Sequence, residues 1–161
     1  MMSQVLSKQS SGVRAFAALL RAHAAATRRL NALLSAEHGL TISDYEVLLR
    51  LARSDDRRLR RVDLAEQVLL TASGITRLLD GLERAGLVER GSCDTDRRVV
   101  YAVLTEAGLA KVREASKSHF VQVEELFSER FDEAELDTIG DLLSRLGESD
   151  PRDCDPDEPA G

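Results

Sequence analysis

Three hydroxyl groups, a glycine and an arginine stand close together at the predicted start of a helix. They are Thr71, Ser73, Gly74, Thr76 and Arg77. Short side chains with hydroxyls can hydrogen-bond phosphates or base edges, and a glycine allows the helix backbone to approach a ligand closely. An arginine can bind a guanine or a phosphate with two donors. Ser73 and Thr76 are equally compatible with an ordinary exposed helix surface, so their types alone leave both interpretations open.

Two further clusters of arginine flank this segment. In chain order they are Arg57, Arg58, Arg60 and Arg61, and then Arg97 and Arg98 beside Asp94 and Asp96. Most such clusters are solvated, charge-balanced surfaces that contribute little to stability. Contact with phosphates is the alternative interpretation of the first cluster.

Two short helices surround the hydroxyl-rich segment. Asp63 and Glu66 have the spacing of a capping box for a helix over 64–69. After a short break, Thr71 is the predicted N-cap of a helix over 72–85. Two short helices separated by such a break predict a helix-turn-helix.

A β-hairpin is predicted directly after the second helix. Gly86 ends that helix, and the stretches 87–90 and 98–104 are rich in β-forming side chains. They enclose a polar tip over 91–96, which contains Cys93. We expect Cys93 to be a passive thiol, because nothing in the sequence indicates an activated one.

Two helices are predicted before this unit. The first covers 13–37 and ends at Gly39, and the second covers 44–53, with Ser43 and Glu46 spaced as a capping box. The first helix carries a stripe of mostly apolar residues at steps of three and four. Its members are Val13, Phe16, Leu20, His23, Thr27, Leu30 and Leu34.

Two more helices are predicted after the hairpin. Thr105 caps the first, over 106–130, and Asp132 with Glu135 opens the last, which runs to about Leu146. The remaining residues, 148–161, are acidic and contain three prolines, so we expect a disordered tail.

The terminal helices are too long and too apolar for the central unit to cover them. We therefore expect a homodimer built from both ends of the chain. The predicted fold class is mainly α (α+β), a winged helix-turn-helix with N- and C-terminal dimerisation helices. Its expected regions are a dimerisation helix over 1–40, the winged unit over 41–104, dimerisation helices over 105–147, and the tail.

The formal charge of −6 conceals an uneven distribution. Eleven arginines face nine acidic residues over 50–98, whereas 99–161 holds six basic and sixteen acidic residues. Binding to nucleic acid depends on local patches, so the acidic total does not exclude it. No run of apolar residues is long enough to span a membrane, and no secretory signal is recognisable, so we expect a cytoplasmic protein.

Catalytic and metal-binding patterns are absent from the sequence. It has no nucleophile elbow, phosphate-binding glycine loop or H-E-x-x-H motif, so we expect neither an enzyme nor a cofactor. His23, His38 and His119 are separated and lack the i, i+4 pairing typical of metal ligands, so we predict no metal site.

The central segment resembles the multiple antibiotic resistance regulator (MarR) family of winged-helix transcription factors. Its wing reproduces the family's D-x-R-(five residues)-L-T pattern. The matching residues are Leu64-Ala65, the run from Thr71 to Asp80, Leu82-Glu83, Gly86-Leu87-Val88, Arg90, Asp96, Arg98, Leu104-Thr105 and Glu106-Ala107-Gly108.

The resemblance implies double-stranded DNA as the partner. It places the helix over 72–85 in the major groove, with Thr71, Ser73, Gly74, Thr76 and Arg77 among the DNA-binding residues. It also implies that Arg98 enters the minor groove and that Asp96 orients the wing. Arg97 is a secondary candidate for a phosphate contact.

Family members commonly release DNA when a small aromatic acid binds between the dimerisation helices and the winged unit. Arg14, Arg21 and Arg28 recur every seven residues on the first helix, and an arginine can bind a carboxylate with two donors. A solvated face or salt bridges between subunits are the alternatives. His23 and His38 are further effector candidates, although a packed histidine is the more common interpretation.

The resemblance thus predicts a repressor released from a pseudo-palindromic operator by a small anionic aromatic effector. Two alternatives remain open. One is a regulator of the same fold without an effector, controlled by its abundance or by a protein partner. The other is an interaction module that has lost DNA binding.

Overall fold

The computed structural model describes residues 10–68, 70–92 and 99–147, which form six α-helices and a small antiparallel sheet. A short 3-10 turn at Asp55–Arg57 joins the second helix to the first strand. In chain order the elements are α1 (Ser11–His38), α2 (Ile42–Arg53), β1 (Arg58–Arg60), α3 (Arg61–Gln67), α4 (Ala72–Arg84), β2 (Val88–Ser92), β3 (Val100–Leu104), α5 (Glu106–Ser128) and α6 (Glu133–Ser144). The predicted fold class, a mainly helical winged helix-turn-helix, is confirmed.

Several helix ends follow directly from their capping residues. The Thr71 hydroxyl accepts a hydrogen bond from the Gly74 amide at the start of α4, as predicted. Asp132 and Glu135 form the predicted capping box of α6. Gly39 ends α1 with a φ of 67°, a left-handed conformation that favours glycine.

The capping box predicted for α2 is wrong. Thr41 caps this helix, because its hydroxyl accepts from the Asp44 amide at 3.1 Å and the Asp44 carboxylate accepts from the Thr41 amide at 2.8 Å. The helix therefore begins at Ile42, and Ser43 lies inside its first turn. The sequence holds two overlapping capping-box patterns, Thr41 with Asp44 and Ser43 with Glu46, and the helix is capped by the first.

The capping box predicted for α3 is also wrong. This helix begins at Arg61 without a side-chain cap, three residues earlier than expected. Asp63 instead accepts two hydrogen bonds from the guanidinium of Arg60, at 2.6 and 2.8 Å. Its carboxylate is therefore committed to an ion pair.

The sheet has a third strand that the sequence did not reveal. The strand order is β1-β3-β2, and β1 pairs Leu59 with Ala102 of the central strand. On its other side β3 pairs with β2, from Val88 opposite Leu104 to Ser92 opposite Val100. The sequence does not predict a strand over residues 58–60, because arginine-leucine-arginine has little β character on its own.

One apolar core joins the helix-turn-helix to α2 and α5. Its fully buried members include Leu48, Leu51, Leu64 and Val112. The small Ala65 is also buried, while Val68 and Leu78 are partly buried against this core. The core fixes α3 and α4 against α2 and α5.

The terminal helices are only partly covered in a single chain. On α1, the C-terminal end of the predicted stripe is buried at Leu30 and Leu34, but Phe16 is 61% exposed. No residue of α6 is buried, and Leu146 just beyond it is 76% exposed. Within the described residues, none of the helices is long and apolar enough to cross a membrane.

Candidate nucleic-acid interface

Helix α4 presents a polar face because its apolar residues all turn inward. Ile75, Leu79 and Leu82 are buried in the core. Ser73 and Arg77 are exposed on the opposite side of the helix. Of the DNA-contacting residues predicted on this helix, Ser73 and Arg77 are therefore accessible, whereas Gly74 and Thr76 are half-buried.

Two of the predicted hydroxyls are already engaged within the chain. The Thr71 oxygen caps α4, and the Thr76 hydroxyl donates its proton to the Ala72 carbonyl at 2.7 Å. Thr76 also accepts a hydrogen bond from the guanidinium of Arg61. Ser73 keeps its hydroxyl near that of Thr71, with 3.2 Å between the two oxygens.

The arginine run before α3 separates into four different environments. Arg57 pairs with Glu106 at 2.5 Å, and Arg60 pairs with Asp63. The guanidinium of Arg58 lies over the Tyr101 ring, 5.2 Å from its centroid. Within the described residues, Arg61 alone of the four donates a hydrogen bond to α4, and no sequence pattern distinguishes it from the other three.

A salt-bridge cluster connects β2 to α4. The Arg90 guanidinium donates to Asp80 at 2.8 Å and to Glu83 at 3.0 Å. Hydrogen bonding to Glu83 and the charges of both carboxylates raise the pKa of Arg90 further above its ordinary value. Arg90 thereby reduces the net charge of this cluster from −2 for the two carboxylates to −1.

The junction of the sheet with α5 fixes the position of the hairpin. Thr105 caps α5 by accepting from the Gly108 amide at 3.0 Å, and its hydroxyl also lies 3.1 Å from the Leu87 carbonyl. A Cβ at Gly108 would collide with that carbonyl. The absence of a side chain at Gly108 lets α5 begin directly against the residue that precedes β2.

The remaining wing predictions lie outside the described residues. They concern Cys93, Asp96, Arg97 and Arg98, which lie between β2 and β3 in the sequence. Strand β2 ends at Ser92, and β3 begins at Val100.

The predicted effector residues do not converge within one chain. Arg14, Arg21 and His23 are exposed along α1, and His23 lies 3.5 Å from the Thr27 hydroxyl. Arg14 and His38 are about 36 Å apart at a helical rise of about 1.5 Å per residue.

His38 packs at the other end of α1. Its Nε2 is 2.7 Å from the Ser118 hydroxyl on α5, and its side chain is 8% exposed. It lines an open cleft of about 500 Å³ between the α1–α2 turn, the end of α4 and α5. Lys111 and Asp44 also line this cleft, and sequence reasoning missed both. Lys111 lies three residues after Gly108, which places it beside the buried face of α5.

Side-chain contacts also fix α2 against α5. The Tyr45 hydroxyl is 3.0 Å from that of Ser116, and its ring lies 4.7 Å from the His119 ring, centroid to centroid. Burial raises the pKa of Tyr45 and lowers the pKa of His119, because it disfavours the charged form of each. His119 therefore favours its neutral form in the folded chain.

A helix-turn-helix with an exposed polar face on its second helix, braced by a hairpin, defines the winged-helix class of DNA-binding folds. The sequence profile of the MarR family matches residues 38–99. The chain is 32% identical to the transcriptional repressor YetL of Bacillus subtilis, over 69% of this chain and 68% of YetL. The chain therefore belongs to the MarR family and is a transcriptional regulator, as its sequence motifs predicted.

Two further comparisons extend the similarity to the flanking helices. The transcriptional regulator MhqR of Bacillus subtilis is 29% identical over 84% of this chain and 90% of MhqR. The crystal structure of AbsC, a MarR family regulator from Streptomyces coelicolor, superposes with a TM-score of 0.76 at 30% identity. That superposition covers 86% of this chain and 93% of AbsC.

Proposed function

We propose that this regulator is a cytoplasmic homodimer that binds a pseudo-palindromic operator through α4 and the wing. In this proposal it represses transcription until a small anionic aromatic effector releases it. The exposed face of α4 is the observation that carries the proposal. Ser73, Gly74 and Arg77 contact DNA from this helix, and Arg98 enters the minor groove with Asp96 orienting the wing and Arg97 near a phosphate.

The distribution of charge around α4 supports DNA binding. Among the described residues, Arg77 and Arg84 on this helix have no ion-pair partner, whereas Asp80 and Glu83 are both paired with Arg90. Positive charge is thus left available, and negative charge is offset. Such a patch attracts phosphates even in a chain with a net negative charge.

Substitution of Arg77 tests the DNA-binding part of the proposal. The probe is a duplex enriched from a randomised library by the wild-type protein, and the control variant is Arg113→Ala, which removes an exposed arginine from α5. We expect Arg77→Ala to weaken binding by about 1–3 kcal/mol while Arg113→Ala binds like wild type. Equal affinities for both variants in fluorescence anisotropy would contradict the role of α4.

The uncovered terminal helices support a homodimer. Val13, Phe16 and Leu20 on α1 are each at least half exposed, and Leu142 and Leu143 on α6 are 50% and 43% exposed. Exposed apolar residues on both terminal helices suit an interface between two chains. A two-fold pair of winged units would place half-sites about one helical turn of DNA apart.

A charge placed on α6 tests the dimer. We expect Leu143→Asp to yield monomers in sedimentation analysis, because a carboxylate in an apolar interface cannot stay solvated. Val62 is 63% exposed but lies on α3, so Val62→Asp is the matched control and should leave the dimer intact. A monomeric wild-type protein, or a dimer that tolerates Leu143→Asp, would contradict this interface.

The cleft beside His38 supports an effector site. Lys111 supplies a positive charge, and Leu40 and Leu82 supply apolar lining, which together suit an aromatic acid. Arg14, Arg21 and His23 do not line this cleft. In our proposal these three residues contact the effector from the second chain.

Calorimetry with a panel of benzoates and hydroxybenzoates tests the effector. We expect at least one acid to bind and to weaken DNA binding, and Lys111→Met to abolish that response. Lys117 is exposed on the same helix and absent from the cleft lining, so Lys117→Met is the control. A protein that binds DNA but responds to no acid would favour the alternative of control by abundance or by a protein partner.

A further inference from the structure

In the conformation that the structure shows, the Thr76 hydroxyl cannot donate a hydrogen bond to a phosphate. A threonine hydroxyl carries one proton, and Thr76 donates it to the Ala72 carbonyl at 2.7 Å. Phosphate oxygens only accept hydrogen bonds, so no donor remains for them at this position. A phosphate that approaches this position therefore needs a hydrogen-bond donor from a neighbouring residue.

Arg61 is that neighbour. One of its terminal nitrogens donates to the Thr76 oxygen, which leaves four of the five guanidinium donors without a hydrogen-bond partner among the described residues. Arg57, Arg60 and Arg90 each have a carboxylate partner, but Arg61 has none within the described part of the chain. Within the described residues Arg61 thus has no direct ion-pair partner, and its hydrogen bond to Thr76 holds it against α4.

The location of Arg61 indicates which part of DNA it meets. It lines an open cleft of about 650 Å³ whose other walls include Val62 of α3, Ile75 of α4 and Val100 of β3. This cleft separates the recognition helix from the strand that returns from the wing. When a helix occupies the major groove and a wing the adjacent minor groove, the sugar-phosphate strand between the two grooves must pass between helix and wing.

We propose that Arg61 binds the phosphate strand that separates the two grooves, and that Thr76 is a positioning residue that holds its guanidinium there. This inference rests on the proposed DNA binding through α4 and the wing. Arg61 lies on the first helix of the motif, which generally crosses the DNA backbone. It adds to the interface a contact that does not depend on base sequence.

Salt-dependent binding of Arg61→Gln and of a control variant tests the phosphate contact. The probes are a duplex enriched from a randomised library by the wild-type protein and a scrambled duplex of the same length. We expect Arg61→Gln to lower affinity about 10- to 100-fold on both duplexes at about 0.15 M salt. For a dimer, it should reduce the slope of log affinity against log salt by about 1.8, since each lost phosphate contact removes about 0.9. Arg113→Gln removes the same charge from α5 and should change neither quantity.

The role of Thr76 is tested with a double-mutant cycle. Thr76→Val should reproduce the affinity loss of Arg61→Gln, Thr76→Ser should bind like wild type, and the double variant should bind no worse than the weaker single variant. Circular dichroism establishes that each variant is folded, and Arg61→Lys, which keeps the charge, should retain most of the salt slope.

Losses that multiply in the double variant would overturn the positioning role of Thr76. Wild-type affinity for Arg61→Gln, or a loss confined to the enriched duplex, would overturn the phosphate contact while leaving DNA binding itself intact. Failure of the wild-type protein to enrich any duplex would instead overturn the proposed function, and this inference with it.

Discussion

The contact between α5 and the residue before β2 leads to a sharp prediction for Gly108. A methyl group there would collide with the Leu87 carbonyl and would lie 2.7 Å from a Leu104 methyl carbon. The carbonyl cannot retreat freely, because it accepts from the Thr105 amide at 3.1 Å and lies equally close to the Thr105 hydroxyl. Relief of the clash therefore requires α5 to move away from the hairpin.

We expect Gly108→Ala to lower the free energy of unfolding by about 1.5–4.5 kcal/mol. Overpacking of a tight site costs about 1–3 kcal/mol, and the loss of the hydrogen bond from the Thr105 amide costs about 0.5–1.5 kcal/mol. Gly81, inside α4, is the matched control, because a Cβ there would meet nothing within 4 Å. Gly81→Ala should stabilise the protein by up to about 1 kcal/mol through the better helix propensity of alanine.

Urea unfolding at a fixed protein concentration measures both effects, since the stability of the proposed dimer would depend on concentration. A Gly108→Ala variant within about 0.5 kcal/mol of wild type, with an unchanged m-value, would refute the argument. It would show that α5 and the hairpin separate at little cost.

Three further predictions concern charge and burial. Arg90→Gln should weaken DNA binding in anisotropy, because it leaves two carboxylates on α4 uncompensated; parity with Arg113→Gln would count against this. The free energy of unfolding should fall as the pH falls from about 7 to about 5, because His119 binds a proton more readily in the unfolded chain than in the folded chain. The ordinary histidine pKa of about 6.5 applies to the unfolded chain. Urea midpoints across this pH range should therefore vary less in His119→Gln than in wild type. The same pH profile in both proteins would show that His119 does not cause the pH dependence of stability. Tyr45→Phe should cost about 0.5–1.5 kcal/mol through the lost hydrogen bond to α5, and a neutral result by urea unfolding would show that the bond contributes nothing.

Local signals account for most of the fold that could be predicted from the sequence. Thr71 and Thr105 begin their helices because a threonine oxygen caps the free amides of a first turn. Gly39 and Gly86 end helices with φ values of 67° and 71°. These features depend on residues within a few positions of one another, so a pattern in the sequence reveals them.

Features that depend on distant residues could not be predicted in this way. Strand β1 exists because Leu59 pairs with Ala102, and its own residues have no strand pattern. Arg61 on α3 contacts Thr76 on α4, 15 residues later in the chain, so a run of four arginines does not indicate which of them makes this contact. The effector residues chosen on α1 share a helix but not a cleft, because helical spacing aligns side chains without bringing them together.

Selective DNA binding by the wild-type protein tests the central claim most directly. Fluorescence anisotropy at about 0.15 M salt compares a duplex enriched from a randomised library with a scrambled duplex of equal length. The account predicts binding at least about a thousandfold tighter to the enriched duplex, with affinity that falls steeply as salt rises. Weak binding of equal strength to both duplexes would contradict it and would favour an interaction module that has lost DNA binding.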